Sequence, residues 1–348
     1  MNFIKIDKNA WETGIEKARN AYELFGPVES KNGPVIKPLA QGQYPDMNLT
    51  DTVMSVKSVI FPQSEKMFSA TLDTTLDDHH IMKPASESKM DRAVIGIRPY
   101  DAKAMELVKL NFITDDYTDP YWKTAYDATT FIGLAITAPG PVDFSTAAGS
   151  GPFDEQGLDI LLADMDDHYM AKVLTDKGAS FAQKCEFSDV TDAKEGQILF
   201  DVLRKDAEAK IQSSVETDQL KSKTILDLYD APFWDDIAFS CINCGTCTYV
   251  CPTCWCFDIQ DETKNKQTCR YKNWDTCMSS LFTHHASGHN PRAQKTQRVR
   301  QRFMHKLKYF VDKYDQGIMC VGCGRCVKSC PVNIDIRDVC KTMNAFTL

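Results

Sequence analysis

No run of about 18 consecutive apolar residues occurs in this sequence, so it offers no membrane-spanning helix and no direct membrane insertion. The residues from Asn2 to Lys8 lead into a polar stretch without the apolar segment of a signal peptide. Nucleotide fingerprints are missing too. There is no G-x-G-x-x-G after a strand pattern and no G-x-x-x-x-G-K-[ST]; the one glycine cluster, Gly149-Ser150-Gly151-Pro152, reads as a turn. No nucleophile stands in a signature beside a base, which weighs against a substrate site of its own. Nor is there a surplus of basic residues: the net charge of -8 argues against nucleic acid, whose phosphates demand a basic surface.

Cysteine is what the chain has in excess. Of its 14 cysteines, eight form two copies of one pattern, Cys241-x-x-Cys244-x-x-Cys247-x-x-x-Cys251-Pro252 and Cys320-x-x-Cys323-x-x-Cys326-x-x-x-Cys330-Pro331. That is the spacing of a bacterial two-cluster ferredoxin, in which three thiolates wrap one [4Fe-4S] cluster and the fourth cysteine, before proline, belongs to the other cluster. The spacing therefore assigns Cys241, Cys244, Cys247 and Cys330 to one cluster, and Cys320, Cys323, Cys326 and Cys251 to its neighbour. Zinc sites use two paired C-x-x-C arms or cysteine with histidine, so three evenly spaced cysteines plus a fourth before proline fit zinc poorly. A disulfide framework serves small secreted chains, whereas 348 residues bury a sizeable core. Thiolates needed as metal ligands place the chain in the reduced cytoplasm.

The other cysteines carry less information. Cys185 and Cys340 are isolated and read as small buried apolar residues. Cys254, Cys256, Cys269 and Cys277 are numerous enough for a third metal site but match no cluster pattern, and packing beside the clusters is the default. His285 and His289 would share a helix face if Gly288 allowed a helix, with His284 beside them; no carboxylate accompanies them as a base.

Between Asp275 and Asp312 no carboxylate occurs, yet Arg292, Lys295, Arg298, Arg300, Arg302, Lys306 and Lys308 supply seven positive charges. An apolar stripe at Val299, Phe303, Leu307 and Phe310 predicts an amphipathic helix over Pro291 to Lys313. Its charges would ordinarily form a solvated face. The sharper reading is electrostatic: a cluster with four thiolates is a net anion, and guanidinium groups nearby would raise its potential or dock an acidic partner.

Elsewhere the spacing predicts a helix from Asp7 to Phe25, stopped by Gly26-Pro27. Strands are expected at Val56–Phe61, Ala93–Ile97 and Phe131–Ile136, and a hairpin from Leu158 to Leu174 across an Asp-rich turn. A helix from Asp101 to Leu110 would be capped by Asp101, and further helices follow around 179–186, 196–213 and 218–228. Without a regular β-α-β alternation the class is α+β: a mixed N-terminal domain over 1–215, then a helical, two-cluster ferredoxin-like module over 216–348 with a helical insertion at 253–319.

The string from Phe233 to Ile259, which includes Cys251-Pro252-Thr253-Cys254-Trp255-Cys256-Phe257-Asp258, resembles the iron-sulfur (beta) subunit of cytoplasmic sulfhydrogenases and the corresponding iron-sulfur subunit of anaerobic sulfite reductases, a type also found beside heterodisulfide-reductase-type complexes. Trp274-Asp275-Thr276-Cys277-Met278, Gly288-His289-Asn290-Pro291-Arg292 and Arg298-Val299-Arg300-Gln301-Arg302-Phe303 are similar to that family's insertion. A weaker likeness runs through Phe61-Pro62, the segment Gly96 to Ala104 and Gly149 to Pro152; relatives are expected to carry cysteine where this chain has Tyr100 and near Phe144-Ser145.

The resemblance implies an electron relay rather than a catalyst. Such a subunit pairs with a flavoprotein similar to ferredoxin-NADP reductases, which holds FAD and handles NAD(P), and passes single electrons to a hydrogenase, sulfite reductase or heterodisulfide-reductase-type module. Two other readings compete: a scaffold whose metal only holds the fold, and a reductase with its own N-terminal substrate site.

Overall fold

A computed structural model describes residues 2–49, 51–85 and 90–347. In chain order its strands are β1 (Asn2–Asp7), β2 (Tyr22–Val28), β3 (Val35–Pro38), β4 (Ser64–Thr71), β5 (Lys83–Pro84), β6 (Asp91–Ile97), β7 (Thr129–Leu134), β8 (Ile160–Asp164), β9 (His168–Val173), β10 (Asp189–Thr191), β11 (Phe257–Lys264) and β12 (Gln267–Trp274). They form an eight-stranded sheet in the order β10-β1-β9-β8-β7-β6-β2-β3 and a four-stranded sheet in the order β11-β12-β4-β5.

The centre of the large sheet, β2, β6, β7 and β8, is parallel, and its remaining pairings are antiparallel. Strands buried on both faces read as apolar runs rather than alternations, as in the wholly buried Thr-Thr-Phe-Ile-Gly-Leu of β7. Successive side chains still divide between two layers. Val94, Phe131 and Leu161 face one core with the helices Pro99–Phe112 and Ala193–Ala209; Ala93, Ile95, Ile132 and Leu162 face another with Lys8–Ala18 and Asp176–Lys184. The fold is a mixture of sheets and helices, as expected, and the β8–β9 hairpin falls where the Asp-rich turn put it.

Several local expectations are corrected. The first helix ends at Ala18, and Tyr22–Val28 is a strand, because Leu24 and Phe25 enter opposite cores beside β6. The segment read as a strand at Val56–Phe61 is a helical turn, Lys57–Ile60, whose buried Val56, Val59 and Ile60 follow helical spacing. Asp101 is no cap: the helix begins at Pro99 after Arg98, and Asp101 sits in its first turn. Residues 218–228 hold two short helices, Gln219–Ser222 and Ile225–Tyr229.

The stretch read as a helical insertion also carries the β11–β12 hairpin, turned at Asn265 with φ +56°, and β12 pairs with β4. Residues 64–71 are thus joined to the region between the two cysteine motifs. The basic helix does form. It runs from Lys295 to Met304, passes through a π-helical turn at His305–Tyr309 and ends at Tyr314. Val299, Phe303, Leu307 and Val311 seat it in a third core with Trp234, Ile336, Val339 and Met343.

Candidate metal centre: two cysteine nests

Both three-cysteine loops share one backbone pattern. Asn243 and Gly245 have φ of +58° and +74°, and Gly322 and Gly324 both have +70°, so the second and fourth residues after the first cysteine are left-handed in each loop. Left-handed residues alternating with right-handed ones turn successive amides inward and make an anion-binding concavity. Asn243 N–H donates to Cys241 Sγ at 3.4 Å, and Ile334 N–H to Cys330 Sγ at 3.2 Å. Short helices, Thr246–Tyr249 and Arg325–Lys328, then carry each chain to its fourth cysteine. A methyl group on Gly322 would lie 2.5 Å from the backbone of Phe144 and Ser145, so close approach as well as positive φ requires glycine there.

The grouping crosses between the loops. Cys241, Cys244, Cys247 and Cys330 line one void, and Cys251, Cys320, Cys323 and Cys326 line another. Four thiols around each void, with amides turned inward, make a soft donor set within an anion-binding concavity. The residues present therefore fit an iron-sulfur cluster in each nest.

Two cations of the basic helix stand between the nests. Arg302 and Lys306 are 4% and 2% exposed, and among the described residues neither has a carboxylate within ion-pair distance. Arg302 lines the first void and reaches the Cys247 carbonyl at 3.5 Å, and its charge pulls the Cys326 thiol down against the effect of burial. Lys306 lines the second and donates to Thr253 Oγ1 at 2.6 Å, and that hydroxyl lies 3.4 Å from Cys251 Sγ. The solvated face expected for an ordinary basic helix is not what forms: Arg298, Arg300 and Lys308 are buried as well.

Residues 240–334 match the model of the 4Fe-4S dicluster domain. This segment is a 4Fe-4S dicluster domain. Over 339 residues, 96% of each chain, the protein is 24% identical to sulfhydrogenase 2 subunit beta of Pyrococcus furiosus, of which it is a homologue. No solved structure matches it. No helix among the described residues is long and apolar enough to cross a membrane.

In the dicluster domain burial pushes the thiols of Cys247, Cys323 and Cys326 up and that of Cys320 up to about 12, with Arg302, Lys306 and Arg325 pulling the other way. Burial alone would lower Lys306, but Cys251, Cys254 and Cys320 around it hold it above the ordinary lysine value. The domain thus supplies fixed positive charge where thiolates must exist in a dry site. A fourth cation comes from outside it. Lys57 Nζ donates to the carbonyls of Tyr249 and Cys254 at 3.1 and 3.0 Å and lies 4.0 Å over the Trp274 ring. Burial lowers it to about 8.

The leftover residues separate cleanly. Cys185 and Cys340 are buried, and Cys269 lies on β12. Cys254, Cys256 and Cys277 line a cavity beside both nests. His284, His285 and His289 occupy an exposed loop closed by Gly288 at φ +84°, so they share no helix face. Lys57 escaped sequence reading because it sits far from the cysteines in the chain, in a segment read as a strand. Arg302 and Lys306 were visible as members of the basic run, but their burial was not.

Proposed function

We propose that this chain is an electron-transfer subunit of a multi-subunit oxidoreductase, holding one [4Fe-4S] cluster on Cys241, Cys244, Cys247 and Cys330 and a second on Cys320, Cys323, Cys326 and Cys251. The observation that carries this is the crossed grouping of four and four thiols around two adjacent voids. Bound there, the clusters supply one-electron transfer. The chain's own residues hold the thiolates, bury Cys251 and Cys320 of the second nest, and set the field through Arg302 and Lys306. The named relative, a subunit of a sulfhydrogenase, supports a hydrogenase-type partner. In this reading a flavoprotein similar to ferredoxin-NADP reductases carries FAD and handles NAD(P), and a hydrogenase, sulfite reductase or heterodisulfide-reductase-type module receives or donates the electrons in the cytoplasm. The 1–215 segment acts as the platform on which the 216–348 module is mounted.

Anaerobic purification of the full chain tests this. About eight iron and eight sulfide per chain and an absorbance that bleaches on reduction are expected. Redox-silent metal, or one cluster's worth of iron, would overturn it.

A further inference from the structure

A cavity of about 680 Å3 lies against both nests without belonging to either. Arg302 lines it together with the first nest, and Thr253 and Lys306 line it together with the second. Its volume is that of a small-molecule site, and its walls mix aromatic side chains with a few converging polar groups. One wall is the π-helical turn His305–Tyr309, a distortion found disproportionately at functional sites.

Another wall is the base of the β11–β12 hairpin. Cys256 immediately precedes β11 and Cys277 follows shortly after β12. Asp275 N–H donates to the Cys256 carbonyl at 2.9 Å, extending the hairpin by one rung and setting Cys256 and Cys277 side by side at its base, where both line the cavity. Neither lines a nest. Cys254 differs: its thiol is engaged with Cys251, which lines the second nest.

We propose that Cys256 and Cys277 are a redox-active dithiol that closes to a disulfide on the wall of this cavity, a two-electron store beside two one-electron centres. On closure two S–H bonds break and one S–S bond forms. Two protons leave to the cavity, and two electrons pass singly to the iron-sulfur centres of the adjoining nests; opening reverses each change. The inference rests on the reading of the nests only for where the electrons go. The thiol geometry stands apart from it. The Cys277 side chain lowers the Cys256 thiol to about 7, burial opposing and Lys306 assisting, so that a thiolate is available to form the bond near neutrality.

The experiment uses the full chain purified anaerobically, with iron measured first. Samples poised with thionine or with dithionite are alkylated under denaturing conditions and mapped by peptide mass. Two fewer alkylated thiols in the oxidised sample are expected, recovered as a linked peptide pair containing 256 and 277. Reductive titration of the wild type is expected to consume two more electrons per chain than that of Cys256→Ser or Cys277→Ser, with iron unchanged in both variants. Equal alkylation of both cysteines in the two states would overturn the proposal, and so would loss of iron in either variant, which would make these cysteines ligands. Alkylation of the wild type decides the matter if the variants fail to fold. Low iron in the wild type would instead end the two-nest reading, while the alkylation pattern would still judge the dithiol.

Discussion

The guanidinium of Arg325 grips the carboxylate of Asp101 through two parallel hydrogen bonds of 2.5 and 2.7 Å, with both side chains almost wholly buried. Its remaining donors reach the Thr52 carbonyl at 2.9 Å and the Thr52 hydroxyl at 3.0 Å. Arg325 lies between Cys323 and Cys326, while Asp101 sits in the first turn of the helix that follows β6. The second cysteine loop is therefore fixed to the large sheet by a charged, bidentate link. Removing one partner of a buried pair strands the other charge, at a cost of about 3–5 kcal/mol. Asp101→Ala should destabilise the chain by that amount in denaturant titration and release iron from the second nest before the first. An apolar pair, Asp101→Leu with Arg325→Met, should recover much of the loss, which a role confined to charge at the nest would not permit.

Lys306 reaches the second nest through Thr253, and its charge favours whichever state of the nest is more negative. Lys306→Met should lower the reduction potential of the centre on Cys251, Cys320, Cys323 and Cys326. The shift should be roughly 60 mV, the one-electron equivalent of a tenfold effect. Redox titration followed by electron paramagnetic resonance would read it, with the other centre moving less. Unchanged potentials would leave Lys306 a merely structural residue.

Crossed grouping makes the fourth cysteines diagnostic. Cys330→Ser should damage the centre held by the loop from Cys241 to Cys247, although it lies next to the other loop in sequence; Cys326→Ser should damage the opposite centre. Iron content and resonance spectra of the two variants would compare them. If both lost the same signal, each motif would serve a cluster of its own.

What the sequence disclosed was what short-range chemistry dictates. Three cysteines two residues apart are a purely local pattern, so the position of both loops was legible in the sequence. The apolar stripe of the basic helix was equally local, since Val299, Phe303 and Leu307 repeat at the helical period. Asp101 was misread because its partner is 224 residues away, and nothing in the segment Pro99-Tyr100-Asp101 distinguishes a cap from a buried anchor. The β11–β12 hairpin was missed because β11 is almost entirely exposed and shows little alternation between buried and open faces. Burial of Arg302 and Lys306 comes from their packing beside the nest cysteines, a tertiary property without a signature in the helix itself.

Removing iron should be read first as a loss of counter-charge. Lys57, Arg302 and Lys306 are buried without carboxylate partners among the described residues, so chelation under reducing conditions should lower Tm markedly. The iron-free chain should also weaken in alkali. Unfolded thiols ionise near 9, whereas burial holds Cys320 up to about 12 and raises Cys247, Cys323 and Cys326 as well. A group whose folded value is raised contributes stability below its unfolded value and loses it as pH climbs towards the folded one. Each such thiol should therefore subtract about 1.4 kcal/mol per pH unit from 9 upward. Lys57 opposes them, because its folded value of about 8 lies below its unfolded 10.5 and its contribution improves across that interval, but it is one group against several. With iron bound the nest thiolates have no proton to exchange, so the loaded chain should show a shallower alkaline slope from 9 to 12 in denaturant titrations. Equal slopes for the loaded and stripped forms would mean that these thiols are not the groups the metal holds.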